Sequence, residues 1–173
     1  IPLPYGRWMT DTNPHRVMVV FGTRPEAIKM FPVVHALRDM PGIETRVCVT
    51  AQHRELLDQV LEISRIVPDI DLDVMQADQT LDGLTAKLIT GLGEVFDREK
   101  PHRVLVHGDT LTTMVATLAA YFRKIPVGHV EAGLRSHNFA MPEEHNRRVA
   151  DKLSTFLFTP NQLAITNLAA EGI

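Results

Sequence analysis

From His15 onward, short runs rich in β-branched residues alternate with longer segments of helical periodicity. That alternation is the sequence form of repeated βα units around a parallel sheet. The strand candidates are Val17–Gly22, Thr45–Thr50, Ile70–Val74, Arg103–Gly108, Pro126–Val130 and Thr155–Thr159. Between them, Leu81, Leu84, Leu88, Leu92 and Val95 recur at three- and four-residue steps, as does the set Val115, Leu118, Ala119 and Phe122. Such spacing predicts helices with one face in a core. His53–Ser64, Met141–Lys152 and Asn161–Glu171 read as further helices. Pro25, Thr80, Thr110, Pro142 and Asn161 stand where a first turn or its cap belongs. Pro32 falls inside the first helical pattern and is expected to kink it, because it removes a donor and crowds the carbonyl of Ile28. The expected fold class is α/β, a Rossmann-like doubly wound parallel sheet.

At 173 residues and 45% hydrophobic, the chain can bury one good core. Its formal net charge of −3 gives no global attraction to nucleic acid or an anionic membrane, so an anion site must be built locally. Cys48 is the single cysteine, which excludes an intrachain disulfide and fits a reducing, cytoplasmic compartment. The opening IPLPYGRWMTDTNPH has no continuous apolar stretch and is neither a signal peptide nor a membrane span. It reads as a flexible extension over residues 1–15, ahead of a domain at 16–173. Gly172 stands where a helix normally caps and hands over to another strand, so the chain reads there as an interruption rather than an ending.

The run VMVVFGTRPEAIKM, Val17 to Met30, reads as a buried strand turning sharply into a helix. In a parallel sheet such a turn lies at a strand's carboxyl end, where ligands bind. Arg24 offers a planar, permanently charged fork, and Lys29 adds a second cation; the start of the helix adds its positive end, a place for a phosphate. A purely structural pairing of Arg24 with a carboxylate is an equal reading. Asp109 follows an apolar strand in VLVHGDTLTT, and as an isolated residue it would be an N-cap. Glu131 in GHVEAGLR is a carboxylate at the end of another apolar strand, where burial requires a partner such as Arg135 or Lys29. Glu143 and Glu144 open a helix behind Pro142, suited to its dipole, with Glu143 and Arg147 spaced as an i, i+4 pair. Three carboxylates and two cations at one sheet edge form a set suited to acid and base chemistry on an anionic substrate.

Other readings fail. GLGEVF lies inside a helical pattern rather than after a strand, so it is no dinucleotide fingerprint, and there is no Walker A loop. The eight histidines, His107 and His129 among them, show no metal-ligand spacing, and no serine stands in a GxSxG setting.

With these residues placed, the stretches VFGTRPEAIKM, VCVTAQHRELLDQVL, VLVHGDTLTT, VGHVEAGLRS and MPEEHNRR, in this order, resemble the amino-terminal half of the bacterial non-hydrolysing UDP-N-acetylglucosamine 2-epimerases. The resemblance implies the N-terminal domain of a GT-B architecture, with substrate in a cleft against a C-terminal domain that these residues lack. It implies interconversion of UDP-GlcNAc and UDP-ManNAc by elimination and re-addition of UDP, without a redox cofactor or metal, in polysaccharide biosynthesis. By similarity Arg24 and Lys29 bind substrate, and Asp109, Glu131 and Glu143 handle protons and stabilise the cationic, oxocarbenium-like species. Asp109 and Glu131 also contact the substrate. Gln52 and His53 resemble the segment that contacts a second, activating UDP-GlcNAc. The resemblance further implies a homodimer. Two departures are visible: the loop between Glu131 and Glu143 is shorter than the commonest bacterial form, and Leu111 interrupts the threonine run after Asp109. Taken alone, the chain is expected not to turn over; the alternative reading is a stand-alone nucleotide-sugar binding or regulatory domain.

Overall fold

The computed structural model describes residues 14–50, 54–74 and 79–173. Along the chain run β1 (His15–Phe21), α1 (Arg24–Arg38), β2 (Ile43–Val49), α2 (Arg54–Ser64), β3 (Ile70–Asp71) and α3 (Leu81–Glu99). They are followed by β4 (Arg103–His107), α4 (Leu111–Phe122), β5 (Val127–Val130), α5 (Pro142–Leu153), β6 (Phe156–Phe158) and α6 (Gln162–Ala170). The six strands form one sheet in the order β3-β2-β1-β4-β5-β6, and every pairing is parallel. This is the doubly wound order, whose direction of winding reverses between β1 and β4. A crevice therefore opens at the carboxyl ends of those two strands.

Strand β1 shows why the sheet sits at the centre. Met18 and Val20 point into a cluster with Leu88, Leu92, Phe96, Val115 and Ala119, from α3 and α4. Val19 and Phe21, on the opposite face, pack with Ala27, Met30, Val34, Leu57 and Leu61 from α1 and α2. Alternation along one strand feeds both layers, so β1 must be apolar on both faces. Each large side chain buried this way contributes about 1.5–3 kcal/mol.

The elements fall where the periodicity predicts, with local differences. β2 begins earlier than expected, at Ile43, because Ile43, Glu44 and Thr45 pair with His15, Arg16 and Val17. β3 is shorter than Ile70–Val74: Asp73 turns to φ +43°, and its N–H bonds the Asp71 side chain. α1 is continuous across Pro32, at the position where a kink was expected, and it begins at Arg24 behind Thr23, with Pro25 in its first turn. β1 already includes His15, inside the stretch read as an extension; residues 1–13, Trp8 among them, lie outside the described residues. Among the described residues no helix is long and apolar enough to cross a membrane.

Candidate functional site

The turn after β1 is built by a residue the sequence reading passed over. Glu26, buried in the first turn of α1, folds back so that its Oε2 accepts the N–H of Gly22 at 3.0 Å and of Thr23 at 2.8 Å. Its Oε1 accepts the hydroxyl of Thr110 at 2.7 Å, on the turn after β4. Burial pushes the Glu26 carboxyl above its ordinary pKa, with these hydrogen bonds pulling the other way. One side chain thus ties the two turns that flank the switch point. It also takes up two backbone donors at the head of α1, since the N–H groups of Gly22 and Thr23 are filled by the protein's own carboxyl oxygen. Arg24 is what stays open. It is exposed and has no hydrogen-bond or ion-pair partner among the described residues, so the structural pairing considered for it is absent there.

Strand β4 ends in His107, then Gly108 at φ +72°, then Asp109. Glycine is needed at that left-handed turn because a side chain there would be strained. Asp109 does not cap α4: Thr110 does, its hydroxyl accepting the N–H of Thr113 at 3.1 Å. The Asp109 carboxylate instead pairs with Arg147 from α5, and Asn146 Nδ2 donates to the Asp109 carbonyl at 3.0 Å. Helix α5 therefore holds Asp109 at both its backbone and its side chain.

Strand β5 delivers Glu131 in a left-handed conformation, φ +70°, with its N–H bonded to the Phe158 carbonyl at 3.0 Å. A non-glycine residue there stores about 1–3 kcal/mol of strain, a cost that recurs at functional sites. Its partner is Lys29, Nζ to Oε1 at 2.6 Å, and not Arg135. His107 Nε2 lies 3.3 Å from Oε2. Burial, the largest influence, pushes the His107 ring down to about 4, so at neutral pH it is uncharged.

At the start of α5 the two glutamates separate. Glu143 is exposed, and Arg147 reaches its backbone carbonyl (3.2 Å) rather than forming the expected side-chain pair. Arg147 turns to Asp109 and Glu144 instead. Glu144 is fully buried and accepts the N–H and hydroxyl of Ser136, both at 2.9 Å, and Arg148. Burial pushes this carboxyl up, but those bonds outweigh it and hold it at about 2. Arg135, the other basic residue of the loop, is saturated: it pairs with Asp151 at 2.7 Å and with Glu171 at 2.8 Å. Asp151 also bonds the His129 ring at 2.7 Å.

The structure thus brings Arg24, Lys29, Asp109 and Glu131 to one sheet edge, with Glu143 exposed at the head of α5. Gln52 and His53 lie outside the described residues. The sequence reading missed Glu26, His107 and the role of Arg147. For His107 a signal existed, a polar residue closing an otherwise apolar strand, and for Glu26 another, the Thr-x-x-Glu spacing from Thr23 that marks a capping box; the bonds of Glu26 to Thr110 and of Arg147 to Asp109 are long-range and leave no local pattern. No group of side chains suited to a metal ion occurs among the described residues. Carboxylates held beside cations at a water-accessible edge can take or give a proton on an anionic substrate and stabilise developing positive charge.

Comparison with known proteins gives this geometry its context. The UDP-N-acetylglucosamine 2-epimerase of Escherichia coli strain K12 is 51% identical over 160 residues, covering 91% of this chain and 43% of that protein. The crystal structure of UDP-GlcNAc 2-epimerase from Neisseria meningitidis bound to UDP-GlcNAc superposes with a TM-score of 0.88 at 51% identity, over 91% of this chain and 43% of that one. The Methanocaldococcus jannaschii enzyme in complex with UDP-GlcNAc and UDP gives a TM-score of 0.87 at 37% identity, over 91% of this chain and 44% of that one. The chain thus spans less than half the length of the relatives it matches, and its fold is that of the Rossmann-like domain in these GT-B structures. A family model described as UDP-N-acetylglucosamine 2-epimerase matches residues 35–173, and with these identities it shows that the chain belongs to the UDP-N-acetylglucosamine 2-epimerase family.

Proposed function

We propose that this chain supplies one wall of the cleft in an enzyme that interconverts UDP-GlcNAc and UDP-ManNAc. The observation that carries the reading is the pair of cation-clamped carboxylates, Asp109 with Arg147 and Glu131 with Lys29, on adjacent strand ends beside the switch point. In the forward step a base takes the C2 proton, the C2–H electron pair becomes the C1=C2 double bond, and the C1–O bond breaks with its pair leaving on UDP. The glycal is then protonated at C2 on the opposite face and UDP re-adds at C1, so there is no net oxidation. Arg24, exposed and unpaired among the described residues, binds the anionic substrate together with Lys29. Asp109, Glu131 and Glu143 divide proton transfer and stabilisation of the oxocarbenium-like species between them.

In this reading a second domain closes the other side of the cleft and adds further groups to hold the leaving diphosphate. The proposal includes a homodimer, an activating second UDP-GlcNAc at Gln52 and His53, and a cytoplasmic place in polysaccharide biosynthesis. The sole cysteine, Cys48, is a free buried thiol, which fits a reducing compartment.

The test uses the polypeptide translated from this chain's own gene to its natural stop, incubated with UDP-GlcNAc in deuterium oxide. UDP-ManNAc carrying deuterium at C2 is expected, with Glu131→Gln slower by about 10²–10⁴. Binding of UDP-GlcNAc with no exchange at C2 would establish the binding-domain alternative, and absence of both would overturn each reading.

A further inference from the structure

His129, on β5, is fully buried, and both of its ring nitrogens have partners. Nε2 lies 2.7 Å from the carbonyl oxygen of Gly108, and Nδ1 lies 2.7 Å from Oδ1 of Asp151 on α5. A carbonyl oxygen only accepts, so Nε2 carries a hydrogen. A second hydrogen lies between Nδ1 and the Asp151 carboxyl, because two bare acceptors do not approach so closely. Each end of this pair meets a turn that carries a residue of the proposed reaction. Gly108 stands immediately before Asp109 and is held twice from β5: its N–H donates to the Val130 carbonyl at 2.9 Å, and its own carbonyl accepts from His129. Its φ is +72°, a glycine conformation, so these two bonds fix the direction in which the chain leaves β4. At the other end Asp151 Oδ2 accepts the N–H of Gly133 at 3.2 Å and Arg135 at 2.7 Å. Gly133 follows Glu131 by two residues and is pressed against α6, where a Cβ added to it would come within 2.4 Å of the Ala164 carbonyl oxygen. Asn167 donates to its carbonyl at 2.9 Å, and the N–H groups of Glu131 and Ala132 share the Phe158 carbonyl at 3.0 and 3.2 Å. The strained Glu131 thus belongs to a segment whose N–H groups are all bonded from 131 to 133.

We propose that His129 and Asp151 are positioning residues for the proposed reaction, a buried tie that fixes the turn bearing Asp109 against the loop bearing Glu131 and so sets the separation of two carboxylates that work on one substrate. Neither residue is exposed to the cleft, so both act through the backbone of Gly108 and Gly133. Arg147 and Lys29 then hold the two carboxylates that this backbone presents. Stability alone does not call for polar groups here, since well-packed apolar residues of similar volume serve it as well. What apolar residues cannot supply is a directed bond to each of two turns. This inference rests on the epimerase reading for its chemistry, and on the contacts alone for the tie.

Two experiments test it, both on the polypeptide from the natural gene. In the ligand-free protein labelled with ¹⁵N, two-bond proton–nitrogen correlations should show a hydrogen on His129 Nε2. Asp151→Ala removes only the far end of the tie, and the amide resonance of Asp109 should shift together with that of Gly133. A ring with no hydrogen on Nε2, or an Asp109 resonance indifferent to Asp151→Ala, would overturn the tie without reference to any reaction. The second experiment follows deuterium entry at C2 of UDP-GlcNAc. His129→Phe keeps a flat ring and loses both bonds; Asp151→Asn can keep them, its amide nitrogen donating to Nδ1 and its oxygen accepting from Gly133. Both variants disturb buried charges and lose stability, so kcat is taken per folded molecule. It should fall about 100-fold in His129→Phe and stay within about tenfold of wild type in Asp151→Asn, with KM changed less than about threefold in both. Equal losses in the two variants, or a change confined to KM, would overturn the positioning role. A wild type that shows neither exchange nor UDP-ManNAc counts against the epimerase reading, and the ligand-free spectra still decide the tie.

Discussion

Glu131 and Arg135 stand in one short loop, yet they belong to charge clusters of opposite character. Arg135 and Asp151 both have fully buried side chains, and the pair extends to His129, Glu171, Arg148 and Glu144. Burial pushes Asp151 up, but the bonds from His129 and Arg135 outweigh it and leave its pKa below the ordinary carboxylate value. The other cluster is half open: the Lys29 side chain is 50% exposed, that of Asp109 36%, and Arg24 has no partner among the described residues. Both join carboxylates to basic side chains, and both reach into the loop after β5. What separates them is whether each donor and acceptor is already spent, and this is why the closed cluster reads as structure and the open one as a place for a ligand.

The sharpest break of this comparison sets Arg135→Ala against Arg24→Ala. Removing Arg135 leaves Asp151 buried without its cation, a loss of about 3–5 kcal/mol that urea unfolding should register. Removing Arg24 should change stability by no more than about 0.5 kcal/mol, while UDP-GlcNAc binding weakens about tenfold or more. If the two substitutions exchanged these effects, the division into closed and open clusters would be wrong.

A smaller effect comes from pH, because the clusters titrate in different windows. The folded pKa of His107 is depressed to about 4 from an ordinary 6.5, so the unfolded chain binds the extra proton first. Stability on this account is present above about pH 6.5 and declines as pH falls toward 4, by roughly 2–3 kcal/mol. Glu144, Asp151 and Glu171 all have lowered carboxylate pKa values, and their contribution is lost only as pH falls below the ordinary carboxylate range. Glu26 runs the other way: its pKa is raised, so its share of stability declines as pH rises above 4.5. Urea midpoints from pH 7 to 4 should therefore fall for the wild type and fall less for His107→Gln. Parallel curves would mean that the ring is not held neutral by burial.

The sequence made the frame of this picture readable and left its wiring obscure. Apolar strands ending in Gly22 and Gly108, with Arg24 and Asp109 behind them, placed both residues at the sheet edge because strand periodicity and turn chemistry are local. The choice of Lys29 over Arg135 as the partner of Glu131 depends on α1 bringing Lys29 to that carboxylate while Asp151 of α5 and Glu171, just after α6, take up Arg135, which no spacing encodes. Glu143 and Glu144 look alike in MPEEHNRR, and only the helix face decides that the second is buried under Ser136 and Arg148. Glu26 is the clearest case. In the sequence it is an ordinary acidic residue in a first turn, suited to the helix dipole. Its second oxygen, however, finds Thr110 across the sheet.

That bond supplies the smallest test, and it concerns where the comparison is least clean, since the open cluster rests on a closed link. Thr110 accepts the N–H of Thr113 as the cap of α4 and donates to Glu26, so one hydroxyl serves a helix end and the strut between two turns. Thr110→Ala should lower stability by about 1–2 kcal/mol, of which the cap alone accounts for about 1. Thr110→Ser keeps the hydroxyl and should stay within about 0.5 kcal/mol of wild type. The catalytic consequence should follow the hydroxyl too. Arg24 and Asp109 sit on the two turns that the strut joins, so the alanine variant should lose more exchange at C2 than its folded fraction explains. A loss matching the folded fraction alone would show that the turns keep their spacing without Glu26, and that the open cluster needs no support from below.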